Sequence, residues 1–136
     1  MKRLNERPYH HGEHIVFSCQ YHVVFCPKYR RKVLVDGIDT RLKEVIPQIA
    51  EKFGAEVIEM EVMPDHVHLL IDCDPRIGIC DLVASMKRTS SHILRSEFPE
   101  LKRRLPCLWT RGKFIASVGS VSLETVKQYI EDQKGI

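Results

Sequence analysis

Residues 66–73, HVHLLIDC, constrain the fold more than any other stretch. Val67, Leu69, Ile71 and Cys73 point to one side of an extended strand, and His66, His68, Leu70 and Asp72 point to the other. The wholly apolar side has to face a core. The two imidazoles are then left on the opposite face of the sheet, about 7 Å apart along the strand. A sheet covered by helices on one face, with its second face open to chemistry, is what this strand demands.

The flanking patterns complete that sheet. Residues 55–63 (AEVIEMEVM) read as the partner strand, joined to 66–73 through a Pro64-Asp65 turn. Residues 14–26 (HIVFSCQYHVVFC) alternate as one long strand, with Ile15, Phe17, Cys19, Tyr21, Val23 and Phe25 on its richer apolar face. Leu42, Val45, Ile46, Ile49, Ala50 and Phe53 recur at helical spacing, and Gly54 stands where a helix C-cap glycine belongs. Pro47 inside that run predicts a kink or a late start. A second helix is expected from Gly78 to Phe98, burying Ile79, Leu82, Val83, Met86, Ile93 and Leu94. Pro99 and Pro106 then bracket a basic connector, residues 101–105, that leads to Trp109, a core anchor. Residues 113–118 form a fourth strand, and a last helix from Ser122 carries Leu123, Val126, Tyr129, Ile130 and Gln133. The order β-α-β-β-α-β-α is an α+β, ferredoxin-like layout: a split βαβ antiparallel sheet with an additional C-terminal helix that carries the tyrosine. One domain, residues 1–136, accounts for the chain.

Composition narrows the setting. Five cysteines lie far apart without a C-x-x-C pair, and the N-terminal residues lack the apolar run of a signal peptide, so a reduced, cytoplasmic protein without disulfides is expected. No apolar stretch approaches the ~20 residues of a membrane helix. The net charge of +3 is unevenly distributed: residues 1–34 carry +5, 35–86 carry −7, 87–113 carry +6 and 114–136 carry −1. Two basic blocks around an acidic middle suit a face that binds a polyanion, although solvated surface accounts for such runs equally well.

An H-x-H pair on a strand is either two structural imidazoles or half of a metal site. The missing parts have candidates in the last helix, where Tyr129 and Gln133 share one face at i and i+4. Two imidazoles and an amide oxygen leave positions open on Mg²⁺ or Mn²⁺ for phosphate oxygens, and the ion would favour the phenolate of an attacking tyrosine. The product of such an attack is a 5′-phosphotyrosine and a free 3′-OH. Tyr9, Tyr21 and Tyr29 compete as phenols, but Tyr21 lies on the core face and Tyr29 stands among cations, better placed to stack on a base. Asp65 is read as a turn cap or as a hydrogen-bond partner that orients an imidazole. His22 and Gln20 join the histidine face only if the first strand neighbours the third. His10, His11 and His14 are read as an exposed N-terminal arm.

HVVFCPKYRRKVL (22–34), VMPDHVHLLI (62–71), LWTRGKFIASVGS (108–120) and VKQYIEDQ (126–133) resemble successive motifs of the TnpA-type single-tyrosine HUH transposases of small insertion sequences. The resemblance runs from about residue 8 to the end of the chain. It implies a metal-dependent enzyme that cuts and rejoins single-stranded DNA, with His66 and His68 binding the metal, Tyr129 making the covalent link and Gln133 completing the metal site. It also implies DNA ends bearing hairpins, and a homodimer whose sheets join edge to edge. Lys28, Tyr29, Arg30, Arg31, Lys32, Lys87, Arg88 and Arg95 are the candidate DNA contacts, since phosphates favour Lys and Arg. A domesticated nickase, a non-catalytic single-strand nucleic-acid-binding module and a zinc hydrolase using His66, His68 and an N-terminal histidine are the alternatives.

Overall fold

The computed structural model describes residues 10–11, 16–17, 19–118 and 123–135. Its elements are β1 (His10–His11), β2 (Val16–Phe17), β3 (Gln20–Phe25), α1 (Ile38–Lys52), β4 (Glu56–Met63), β5 (His66–Asp72), α2 (Ile79–Glu97), α3 (Glu100–Arg104), β6 (Phe114–Ser117) and α4 (Leu123–Glu131). The main sheet has the order β4-β5-β3-β6 with every neighbour antiparallel. β3 and β4 are joined through α1 and leave a slot that β5 fills, which is the split βαβ arrangement expected from the sequence.

The inward face of the sheet is built from Val23, Phe25, Val67, Leu69 and Ile71, each fully buried. Against it pack Leu42, Val45, Ile46 and Ile49 of α1 and Leu82, Val83, Met86 and Leu94 of α2. Trp109 anchors this core: its ring meets Phe25 edge-on at 4.7 Å between centroids, and its indole N–H donates to Ser90 Oγ at 3.0 Å. That bond gives the one polar atom of a buried tryptophan its partner.

α1 ends as its sequence foretells. Gly54 takes φ +73°, and the amides of Gly54 and Ala55 reach back to the carbonyls of Glu51 and Ala50, closing the last turn in a left-handed glycine cap. Pro47 neither delays nor interrupts the helix, which begins at Ile38. The proline lies on the exposed side, where water can satisfy the carbonyl of Lys43 that loses its amide partner.

Three further expectations are corrected. The long strand over 14–26 is two strands: β2 leaves the main sheet and pairs with β1, His10 opposite Phe17 and His11 opposite Val16. Part of the N-terminal arm is thus a paired ribbon, while residues 12–15, His14 among them, and residue 18 lie outside the described residues. The connector between Pro99 and Pro106 contains α3, because Leu101 and Leu105, four residues apart, are both buried. Pro99 starts it, and its three basic residues fall near its C-terminal carbonyls, where cations are favoured.

The second face of the sheet is partly covered. Val24 of β3 and Cys26 just beyond it, both fully buried, meet Val126 of α4, with Phe114, Tyr129 and Ile130 packed around them. α4 therefore lies across the face that carries the histidines. Among the described residues, no helix is long and apolar enough to cross a membrane.

Candidate active site

Strand register fixes which side chains share this face. β5 pairs Val24 with His68 on one side and Glu61 with His68 on the other, while β6 sets Phe114 opposite Val24. Glu61, His68, Val24 and Phe114 thus form one row across four strands. Because β3 does neighbour β5, His22 joins the histidine face. Its Nδ1 lies 3.2 Å from His68 Nε2, and the two ring centroids are 5.4 Å apart. His22, His68, Glu59, Glu61 and Leu70 line a cleft of about 470 Å³.

The two paired histidines are held differently. His66 Nδ1 stands 2.9 Å from Asp65 Oδ1. A carboxylate only accepts, so the ring carries a proton on Nδ1, and Nε2 is the nitrogen that a neutral ring would offer to a metal. Burial, followed by the neighbouring His22, lowers the pKa of His68. Both effects favour a neutral ring over an imidazolium.

Tyr129 stands in the last turn of α4, its ring 5.3 Å from that of Phe114. Its hydroxyl is shielded from solvent and has no hydrogen-bond partner among the described residues. Burial, followed by the buried Cys26 thiol, pushes its pKa up to about 12. An unpaired buried hydroxyl costs about 1–3 kcal/mol, so the site holds a donor without its acceptor. Gln133 is buried at 8% exposure. A Cβ on Gly112 would stand 3.4 Å from the tyrosine hydroxyl and 3.8 Å from Gln133 Oε1, so the phenol and the amide share a floor made by this glycine.

Lys87 secures that floor. Its ammonium donates to the carbonyls of Thr110, Arg111 and Gly112 at 2.7, 3.2 and 3.0 Å. Burial and the nearby Lys113 press its pKa down to about 8, whereas the three carbonyls, all acceptors, favour the charged form. Lys87, a candidate DNA contact, braces the loop beneath Tyr129. Arg30, another such candidate, is likewise held within the protein. It contacts Asp65, the carbonyl of Ile130 and Glu131, with its side chain 14% exposed. Tyr29 and Arg30 both have left-handed backbones, φ 60° and 51°, at a typical cost of about 1–3 kcal/mol for each such residue.

The remaining basic candidates lie at the surface. Tyr29, at 44% exposure, lines one cleft with Arg31, Lys32 and Arg104. The Lys28 ammonium sits 5.1 Å from the Tyr29 ring centroid. Arg88 and Arg95 line a second cleft with His92 and Lys102. Arg95 also donates to the Pro106 carbonyl at 3.2 Å. Gly112, Phe114 and Cys26 are missing from the residues singled out by sequence, which offers no signal for them beyond a glycine beside basic residues. Lys102 and Arg104 stood in the basic connector without a role.

A four-stranded antiparallel sheet of this order, with helices on one face and α4 on the other, is a fold found among transposases. It superposes on a crystal structure of a candidate transposase from Deinococcus radiodurans R1 with a TM-score of 0.86 and 35% identity, over 93% of this chain and 99% of that one. The fold is also that of a REP-associated tyrosine transposase bound to a REP hairpin, TM-score 0.57 at 12% identity, over 89% of this chain and 69% of that one. The family described as "Transposase IS200 like" matches residues 15–133, and the chain belongs to it. It is 39% identical over 124 residues to the ISDra2 transposase TnpA of Deinococcus radiodurans, covering 90% of this chain and 89% of that protein. The IS200 transposase of Salmonella typhimurium is 29% identical over 122 residues, covering 88% and 80%.

Proposed function

We propose that this transposase cleaves and rejoins single-stranded DNA at insertion-sequence ends through a 5′-phosphotyrosine on Tyr129. The observation that carries the reading is the Tyr129 hydroxyl, buried and without a partner, on a helix laid over the same sheet face as His66 and His68. In the forward step the phenolic oxygen bonds to phosphorus, the bond from phosphorus to the 3′ oxygen breaks, and that oxygen leaves as a 3′-OH with a proton. In the reverse step a 3′-OH attacks the phosphotyrosine and the phenol is released, so the phosphoester bond energy is retained for rejoining.

His66, His68 and Gln133 are the residues that would hold Mg²⁺ or Mn²⁺. The Gln133 amide oxygen would be the third donor beside the two imidazoles, leaving positions open on the ion for phosphate oxygens. When bound, the ion supplies positive charge at the scissile phosphate and orients it. Asp65 holds His66 in its ligating tautomer, Cys26 and Phe114 shield the phenol from water, and Lys87 keeps the Gly112 floor in place.

The partner is single-stranded DNA with terminal hairpins, bound by a homodimer. Lys28, Tyr29, Arg31, Lys32, Arg88 and Arg95 form the contact surface, with Lys102 and Arg104 added from α3. The test is incubation of the protein and Mn²⁺ with a hairpin-bearing single-stranded oligonucleotide labelled on the 3′ side of the candidate cleavage position. A covalent protein–DNA band on a denaturing gel, lost with Tyr129→Phe and on chelation, is the expected result. No band, or an undiminished band with Tyr129→Phe, overturns the reading.

A further inference from the structure

We propose that Arg30 is a positioning residue that couples the orientation of the His66 ring to the seating of the helix that carries Tyr129. This rests on the reading of His66 and Tyr129 given above. Arg30 belongs to the basic run 28–32, yet Arg31 and Lys32 are exposed while its own side chain is 14% exposed. Its guanidinium spans two elements that are far apart in sequence. Nε lies 3.2 Å from Asp65 Oδ2, and the other oxygen of that carboxylate, Oδ1, is 2.9 Å from His66 Nδ1. Nη1 donates to the carbonyl of Ile130 at 3.1 Å and stands 3.4 Å from Glu131 Oε2. A continuous chain of charge-assisted contacts therefore runs from an imidazole at the head of β5 to the last turn of α4.

Only arginine can close this chain. Its planar fork holds divergent donors at fixed angles, whereas a lysine ammonium is a single point that reaches one partner or the other. The Ile130 carbonyl, which also accepts from the Gln133 amide at 3.2 Å, lies in the last turn of α4, where a cation meets the favourable end of the helix dipole. Coupling of this kind is reciprocal. If seating α4 fixes Asp65 and through it His66, then fixing His66 with a metal ion must steady α4 by the same factor.

That reciprocity supplies a test independent of activity. Hydrogen–deuterium exchange of the full chain is followed with and without Mn²⁺, in the absence of DNA, for wild type, Arg30→Lys, Asp65→Asn and Arg31→Ala. Mn²⁺ is expected to slow exchange across residues 126–133 about fivefold or more in wild type and in Arg31→Ala. In Arg30→Lys and Asp65→Asn that Mn²⁺-dependent slowing should be absent. The rate of covalent adduct formation should fall about tenfold or more in Arg30→Lys, while affinity for the hairpin oligonucleotide stays within about threefold because the charge is retained. Rescue by Arg30→Lys of both readouts, or a fall in adduct matched by the fall in DNA affinity, makes Arg30 a plain phosphate contact and overturns the proposal. So does a wild type whose α4 exchange ignores Mn²⁺. If wild type forms no adduct, the phosphotyrosine reading fails while the exchange data still decide the coupling.

Discussion

At the scale of single residues, the Tyr129 hydroxyl carries the sharpest consequence. With its pKa pushed up to about 12 by burial, the phenol is protonated at neutral pH, and the phenolate fraction grows about tenfold per pH unit below that value. The initial rate of adduct formation is therefore expected to rise between pH 7 and 9; a rate that falls over this range would mean that a group other than this phenol limits the attack. Gly112 gives a second test. Its Cβ position has room for a methyl at ordinary contact distance from the tyrosine hydroxyl, but not for more. Gly112→Val should lower the adduct rate about tenfold or more with a small change in melting temperature, since a branched side chain there displaces the phenol by an ångström or so. Equal rates for the two proteins would show that Tyr129 reacts away from this floor.

At the scale of elements, alternation and helical spacing exposed all four strands of the main sheet and the three longer helices, because each buries one face against a common core. Leu69, fully buried on the inward face of β5, is typical: Leu69→Ala should destabilise the protein by about 2–5 kcal/mol in chemical denaturation, and a loss under 1 kcal/mol would place β5 outside the core. Where the pattern misled, the cause lay in pairing. Nothing in the alternation of 14–26 tells β2 that its hydrogen-bond partner is β1 instead of the main sheet. α3 is too short to show a period, and its two leucines have meaning only once the core they fill is present. Pro47 lies off the buried stripe of Leu42, Val45, Ile46 and Ile49, so the carbonyl it frees faces water and α1 continues through it.

For the whole molecule, the buried ionisable groups set an alkaline limit. Cys26 and Cys73 are each pushed up to about 11, largely by burial, from an ordinary value of 9.0. Their contribution to stability is complete below pH 9 and is lost as pH rises from 9 to 11, because the unfolded chain releases those protons first. Lys87 works in the opposite sense: with its pKa lowered to about 8 from 10.5, the folded state is penalised below pH 8 and relieved as pH rises from 8 to 10.5. Two thiols outweigh one amine above pH 9, and Tyr21 and Tyr129, both raised to about 12, add to the loss above 10. Urea midpoints measured from pH 7 to 11 should hold or rise slightly to about pH 9 and then fall; a midpoint still rising at pH 10.5 contradicts this balance.

The sequence by itself determined the class of fold and the residues on which the proposed chemistry rests, since periodicity of two or 3.6 is a local property and since HVH and Y-x-x-x-Q are each written within one element. The order of strands in the sheet, and with it the arrival of His22 beside His68, was decided only by tertiary structure. So were the seat of Tyr129 over Gly112, the conversion of Lys87 into a brace and the link through Arg30 from β5 to α4. These depend on distances between groups up to about a hundred residues apart along the chain, which side-chain reach and burial set and which no local pattern encodes.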